Sequence, residues 1–479
     1  MRQTTHYERN APDERVVDRA LAGTRLAVPW LEDVDRAGLR AARPRLDAST
    51  HADLVIVGGG FAGLWTAVLA ARRAPGRRIV LLEAARLAWA ASGRNGGWVD
   101  YSITHGEENG HARWPEEFAT LQRLGLANLD ALAEDVTALG VDCDFERVGA
   151  LILAVEAHQL PWTRELDLLP DAVALDGAEA RARLAAPGAL GAIAESGRMV
   201  ATVHPARLAL GLAAAAERLG VEIHERSRVV ELRTEAGGVA AVTPHGEVSA
   251  AQAVLATNGF PSLLRRNRPM TVPVYDYALM TAPLTAAQRD AIGWRGREAL
   301  GDLANQFHYA QITPDGRILW GGYDAIYRRG GRIRAAYEDH LPSHRRLAAH
   351  FFALFPQLAD AGVTFTHRWA GVIDTSTRFA PFYGTARDRR IAYAAGFTGL
   401  GLGTTRFAAE VMLDLLDGVD GERTSLAMVR HRGLPFPPEP IASVGIGVSR
   451  WAMDRADHHA GRRNLWLRTM DALGLGFDS

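Results

Sequence analysis

Asp53-Leu54-Val55-Ile56-Val57-Gly58-Gly59-Gly60-Phe61-Ala62-Gly63 is the stretch that decides the fold. Its first five residues form an apolar, β-branched run of the kind that becomes a strand buried on both faces. Three glycines end the strand, and residues 61–73 carry a helical pattern until Pro75-Gly76 breaks it. A second apolar run, residues 78–82, ends at Glu83. Together they spell a βαβ unit whose turn reads G-x-G-x-x-G at Gly58, Gly60 and Gly63. Each part has a physical purpose. Gly58 permits the tight turn, Gly60 lets the backbone approach a pyrophosphate, and Gly63 lets helix and strand pack closely. The helix end at Phe61 and Ala62 offers unpaired N–H groups and positive potential to phosphates. Glu83 is placed to accept the hydroxyls of an adenosine ribose. A ligand-free glycine turn would account for the glycines but not for the ordered strand, helix and terminal acid.

Working outward, the chain has 479 residues, of which 48% are hydrophobic and 23% charged, the composition of a globular protein of two or three domains. A formal charge of −1 excludes a global basic field for nucleic acid or an anionic membrane. The one cysteine, Cys143, excludes an internal disulfide framework. All 54 basic residues are arginine, so a Schiff-base lysine and a Walker-type phosphate lysine are ruled out. The polar start has no apolar signal core, and the longest apolar run, 208–216, is far short of a membrane span. A cytoplasmic protein is expected.

Further along, residues 30–40 suggest a short helix, 114–139 a longer one, and 148–155 a strand. The acidic, alanine-rich segment 160–195 reads as short helices. A helix at 205–219 precedes short strands between 221 and 256, then longer ones at 271–283, 306–312 and 316–321. The last two are joined by Thr313-Pro314-Asp315-Gly316, a turn with the chemistry a hairpin wants. Helix 345–355, strand 390–395 and a glycine-rich start to a helix ending near 416 follow. Residues 433–440 form a proline-rich linker. The tail to 479 reads as amphipathic helix, with Trp451, Met453, Trp466 and Met470 available for packing.

Beyond the fingerprint, Ala91-Ser92-Gly93-Arg94-Asn95-Gly96-Gly97 resembles the flavin-proximal loop of the D-amino-acid-oxidase-like flavoproteins, and more narrowly their gamma-glutamylputrescine oxidoreductase branch. His204-Pro205-Ala206-Arg207-Leu208, Ala256-Thr257-Asn258-Gly259, the hairpin from Phe307-His308-Tyr309 to Trp320-Gly321-Gly322, Arg368-Trp369-Ala370-Gly371 and Gly396-Phe397-Thr398-Gly399-Leu400-Gly401 continue the resemblance in order. It implies an α/β fold: an FAD-binding Rossmann-like domain of glutathione-reductase type plus a mixed-sheet α+β substrate domain. The expected division gives an N-terminal extension at 1–50 and FAD-binding segments at 51–110, 196–264 and 372–432. The substrate domain takes 111–195 and 265–371, and a C-terminal helical extension takes 433–479. Carried onto this chain, the FAD contacts are Gly58, Gly60, Phe61, Ala62, Gly63, Glu83, Ala84, Arg86, Ser92, Arg94, Asn95, Gly96 and Gly97. They continue with Val229, Thr257, Asn258, Gly259, Gly396, Thr398, Gly399, Leu400, Gly401 and Thr404.

Gly399-x-Gly401-x-Gly403 could be a second nucleotide loop, but its spacing differs and no acid-tipped strand follows its helix. The resemblance instead points this helix's positive end at the flavin. Relatives often carry histidine where this chain has Leu400, and some use a lysine near the flavin for oxygen reduction. Here only Arg94, a histidine such as His308 or a protonated product could serve, so O2 and another electron acceptor both stay open. Cys143 reads as a buried structural thiol, leaving the FAD non-covalent.

On the substrate side, Trp98, Tyr275, Tyr277, Tyr323 and Trp369, with Tyr309, are either an aromatic cage for an amine or ordinary core. His308 and Tyr309 are the catalytic candidates, His308 also reading as a hydrogen-bonded structural histidine. Arg378 is weighed as a carboxylate anchor. The expected reaction is oxidation of the C–N bond of a primary or secondary amine or amino acid by hydride transfer to flavin N5, the imine then being hydrolysed. A flavoenzyme of this fold acting on an alcohol, and a non-catalytic flavoprotein, are the alternatives. No metal is called for, and the oligomeric state stays open.

Overall fold

A computed structural model, describing residues 2–476, places the strand Thr50–Val57 inside an eight-stranded sheet. It runs parallel to Ile79–Leu82 on one side and Gly246–Leu255 on the other. Leu54, Val55 and Ile56 are wholly buried, as a strand covered on both faces requires. Glu222–His224 extends the parallel arrangement, and Ile391–Ala395 pairs with the end of Gly246–Leu255. The helix Phe61–Arg73 packs against Gly401–Asp417 and Pro205–Arg218. Packing itself requires two of the fingerprint glycines. A Cβ on Gly63 would lie 1.9 Å from the Gly58 carbonyl oxygen, and one on Gly58 would lie 2.4 Å from that of Ala256.

The second sheet has ten strands. Its central part runs Phe365–Ser376, Thr271–Thr281, Ile318–Gly322, His308–Ile312, Ala299–Asp302 and Ala150–Ala154. It is mixed: the hairpin partners are antiparallel, whereas Ala299–Asp302 and Ala150–Ala154 run parallel. The helix Leu341–Leu354 covers one face, where Phe351 and Phe352 pack with Tyr275, Tyr277 and Trp320. The other face is left to a cavity.

Three expectations change. Segment 160–195 contains the strands Ala172–Asp176 and Gly191–Glu195, which pair with each other and join the sheet at Ala150–Ala154. Alanine favours helix locally, but the unpaired sheet edge offers ladder hydrogen bonds that override so weak a preference. Residues 1–50 are not an appendage. Arg25–Leu26 pairs with Phe365–Ser376, and Tyr7 and Val17 enter the core beneath the sheet. The strand Phe365–Ser376 also runs without interruption across the expected boundary at 371/372. Among the described residues no helix is long and apolar enough to cross a membrane, and no group of side chains is arranged to hold a metal ion.

Candidate active site

Between the two sheets lies a cavity of about 1240 Å³. Two helix N-termini open onto it: that of Phe61–Arg73, through Gly60, Phe61 and Ala62, and that of Gly401–Asp417, through Leu400 and Gly401. Neither N-cap residue, Gly60 or Leu400, caps its helix with a side chain; apart from the Phe61 N–H, which Ser92 Oγ accepts, the first-turn N–H groups are left for a ligand. At Gly60 an added Cβ would meet only the Ser92 hydroxyl, at 3.0 Å, so the backbone there is bare toward the cavity. The helix Gly401–Asp417 is set down by a loop in which Gly396, Thr398 and Gly399 all have positive φ. This tight path brings Leu400 to the cavity.

The loop at 91–97 joins the sheets. Ser92 Oγ accepts from Phe61 N at 2.9 Å, and Asn95 ties the loop to itself through Ala91, Ser92 and Gly97. Gly96 lies against Tyr309, and its carbonyl accepts from Gln311 Nε2 at 2.7 Å. The Arg94 guanidinium is ion-paired with Glu338 at 2.5 Å and also donates to the Ala370 carbonyl. Glu83 is buried and accepts from Gly59 N, Ala85 N and Trp89 Nε1. Ala84, Arg86 and Val229 follow from that end: Ser227 N and Arg226 N donate to the carbonyls of Glu83 and Ala85, and the Arg86 side chain donates to the Arg40 carbonyl. Thr257 lies beside Gly58, Asn258 lines the cavity, and a Cβ on Gly259 would approach Val372 at 3.2 Å. Thr404 Oγ donates to the carbonyls of Leu400 and Ser102, a helix-turning role.

The substrate-side residues divide by strand parity. Along Thr271–Thr281, Val272, Val274, Asp276 and Ala278 line the cavity. Tyr275 and Tyr277 therefore face the opposite way, into the core under Leu341–Leu354, and drop out of the proposed cage. Their hydroxyls bond to the chain near Arg334 and Tyr337, that of Tyr277 donating to the Tyr337 carbonyl at 2.8 Å. Tyr277→Phe should lower stability by about 1 kcal/mol, read as a small drop in Tm, and leave substrate KM unchanged. Trp98, Tyr309, Tyr323 and Trp369 do line the cavity, and Trp369 is held by donation to the Arg94 carbonyl at 2.9 Å.

His308 reaches the cavity wall, but both ring nitrogens have partners. Nδ1 meets Asp302 Oδ2 at 2.7 Å and Nε2 meets His350 Nδ1 at 2.9 Å. Asp302 also accepts from the buried Tyr7 hydroxyl at 2.5 Å, and Trp320 stacks on the His308 ring. No nitrogen is left for a substrate, so His308 is a structural histidine rather than the catalytic base. Arg378 is likewise no carboxylate anchor, since its guanidinium donates to the carbonyls of Ala380, Pro381, Met428 and His431. Burial pushes the Cys143 thiol up to about 12, so it stays protonated.

Sequence reasoning missed two contributions. Asp276 accepts the Tyr309 hydroxyl at 2.5 Å inside the cavity. Its signal was a lone acid between two tyrosines on an otherwise apolar strand. The other is the tail, whose helices Ile441–Asp457 and Leu465–Ala472 supply a cavity wall through Ile446, Met453, Trp466 and Met470. Trp451, by contrast, is 56% exposed and faces out. Asp457 fastens this wall by accepting from Asn305 N at 2.9 Å, Asn305 Nδ2 at 2.7 Å and Gln306 N at 3.2 Å. The expected helical tail extends to 479, and its last three positions lie outside the described residues.

A parallel sheet with its glycine turn, a second uncapped helix end and a mixed-sheet floor enclosing one cavity define a dinucleotide-binding flavoprotein of two-sheet build. The profile of the FAD dependent oxidoreductase (DAO) family matches residues 53–415, and the chain belongs to that family. The gamma-glutamylputrescine oxidoreductase of Escherichia coli is 28% identical over 412 residues, 82% of this chain and 89% of that protein. A probable oxidoreductase, OrdL, of Haemophilus influenzae is 26% identical over 416 residues, 82% of this chain and 88% of that protein. Among solved structures, glycine oxidase from Geobacillus kaustophilus superposes with a TM-score of 0.65 at 20% identity, covering 80% of this chain and all of that one. The residues present fit the cofactor: the bare Gly60 backbone and the two uncapped helix ends suit its phosphates and the electron-rich edge of its ring. The protein is thus an FAD-dependent oxidoreductase of this family.

Proposed function

We propose that the chain oxidises the C–N bond of a primary or secondary amine or amino acid, with FAD bound non-covalently. The observation that carries this reading is the meeting, in one cavity, of the 91–97 loop and the uncapped Gly401 helix with the aromatics Trp98, Tyr309, Tyr323 and Trp369. Once bound, FAD would supply the acceptor for a hydride from the substrate carbon. The chain's residues position that carbon and keep water away. Ring faces of the two tryptophans and two tyrosines suit an amine, charged or neutral. The fingerprint turn and the residues named above from 58 to 97, with Val229, Thr257–Gly259 and the 396–404 loop, would hold the cofactor. The Gly401 helix end would stabilise negative charge gathering on its ring.

Relatives support the substrate class: one is named for gamma-glutamylputrescine, and solved structures of the same fold include glycine oxidase and iminodiacetate oxidase. We place the enzyme in the cytoplasm. Arg94, its charge matched by Glu338, is a weak promoter of oxygen reduction, so the natural acceptor is read as something other than O2. The test is anaerobic titration of the flavin spectrum with amines, amino acids and hydroxy acids, followed by air. Bleaching by an amine with slow recolouring is expected. Bleaching by hydroxy acids alone would overturn the amine reading, and fast recolouring with peroxide would make the protein an oxidase.

A further inference from the structure

We propose that Asp276, working with Tyr309, is the proton acceptor that converts the incoming ammonium of the substrate to the free amine before oxidation. The inference rests on the amine reading above and deepens it. An alkylammonium has no lone pair on nitrogen to support departure of hydride from its carbon, so an enzyme that receives the charged form needs a base in the same cavity. His308 cannot serve, for both its ring nitrogens are bonded within the protein. Asp276 is a carboxylate on the cavity-facing side of the sheet floor, and its Oδ2 holds the Tyr309 hydroxyl at 2.5 Å.

The surroundings leave room for a substrate nitrogen there. Gly371 stands opposite Asp276 on the neighbouring strand, and a Cβ at Gly371 would meet nothing closer than 4.0 Å. Tyr309 is held between Gly96 of the flavin-side loop and Gly321, where an added Cβ would lie 2.6 and 2.5 Å from its ring. The pair therefore bridges the sheet floor to the loop expected to meet the cofactor. In the step, one N–H bond of the ammonium breaks, its electron pair stays on nitrogen, and the proton passes to the Asp276 carboxylate. Nothing is oxidised or reduced, and the amine is left neutral beside a neutral carboxylic acid.

The electrostatics suit the task. Burial pushes the Asp276 carboxyl up to about 6, against the opposing hydrogen bond from Tyr309. Asp324, from the turn after the hairpin, is the other acid facing it and is ion-paired with Arg346 and Arg450. On the other side, Arg94 reaches the Ala370 carbonyl but is matched by Glu338. Both of these charged neighbours are thus paired within the protein. A base whose proton affinity lies just below neutrality is ionised at neutral pH yet still basic enough to accept a proton.

The experiment measures anaerobic flavin bleaching by the best amine from pH 5 to 10 in wild type, Asp276→Asn and Tyr309→Phe holoenzymes. Wild type should lose rate about tenfold per pH unit below pH 6, as Asp276 becomes protonated. Asp276→Asn, nearly isosteric, should keep its flavin, lose at least roughly 100-fold at pH 7, and recover toward wild type near pH ~10, where the amine is free in solution. Tyr309→Phe removes the hydrogen bond that lowers the carboxyl's proton affinity, so its acid limb should move to higher pH. Infrared difference spectra supply a readout apart from turnover: a carboxylic-acid band titrating near pH 6 in wild type and missing in Asp276→Asn. Bleaching of Asp276→Asn within about threefold of wild type at pH 7, or a loss equal at every pH, would overturn the proposal alone. Wild-type protein that no amine bleaches would overturn the amine reading and this step with it.

Discussion

Gly60→Ala is expected to yield folded protein that has lost its flavin, whereas Gly63→Ala is expected not to fold. The two glycines lie three residues apart in one turn, yet their surroundings differ. At Gly63 the added methyl would sit 1.9 Å from the Gly58 carbonyl oxygen and 3.3 Å from Ile56 Cγ2, inside the strand–helix contact at the centre of the eight-stranded sheet. No side-chain rotation relieves a clash with backbone. Helix and strand would have to separate around residues that are wholly buried, at a cost of several kcal/mol against a total stability of about 5–15 kcal/mol. At Gly60 the methyl meets only Ser92 Oγ, at 3.0 Å, and the φ of −83° is open to any residue. The fold is spared, but the methyl occupies the bare backbone against which a pyrophosphate must lie. Circular dichroism and the flavin-to-protein absorbance ratio separate the cases. A yellow Gly60→Ala protein with full flavin content would show that the phosphates bind elsewhere.

That contrast also shows why the FAD side was readable in the sequence. Each element there is fixed by chemistry within a few residues: buried strand, glycine turn, uncapped helix, acid-tipped strand. None depends on knowing a neighbour. The substrate floor is different. In Thr271–Thr281 both faces carry large apolar residues, so alternation alone does not reveal which face meets the cavity. Parity sends Val272, Val274, Asp276 and Ala278 to the cavity and Tyr275 and Tyr277 behind it. The tyrosines stand out in the sequence because aromatics suit amines, and the aspartate between them carries no comparable pattern. His308 shows the same limit. Its partners Asp302 and His350 come from another strand and from a helix, and Tyr7, which completes the network, comes from a segment read as an extension. The 160–195 region keeps the short helices Trp162–Arg164 and Gly177–Arg183, but pairing with each other and with Ala150–Ala154 makes strands of Ala172–Asp176 and Gly191–Glu195.

The tail was legible as helix but not as part of the site, and its removal carries the second large prediction. Protein ending at Gly433 should keep its FAD while substrate KM rises at least about tenfold and selectivity among amines narrows. The FAD-side features, Gly60, the 91–97 loop and the Gly401 helix end, all lie within the family-matched 53–415. The substrate side needs the tail, because Ile446, Met453, Trp466 and Met470 form one wall of the cavity. Losing apolar contact on one side of a substrate is worth about 1–3 kcal/mol, which is tenfold to a hundredfold in affinity. The wall's own core is small, Ala452, Ala456 and Leu467 with Met453 and Trp466, so its placement depends on polar anchors. Asp457 is one of these, accepting three hydrogen bonds from Asn305 and Gln306. Asp457→Ala should therefore reproduce part of the truncation effect in the full-length chain, raising KM with little change in the limiting bleaching rate. A truncated protein with unchanged KM across a series of amines of increasing length would show that substrates bind without touching the tail. Loss of flavin on truncation would instead mean that the wall supports the cofactor side, contrary to the separation the two sheets display.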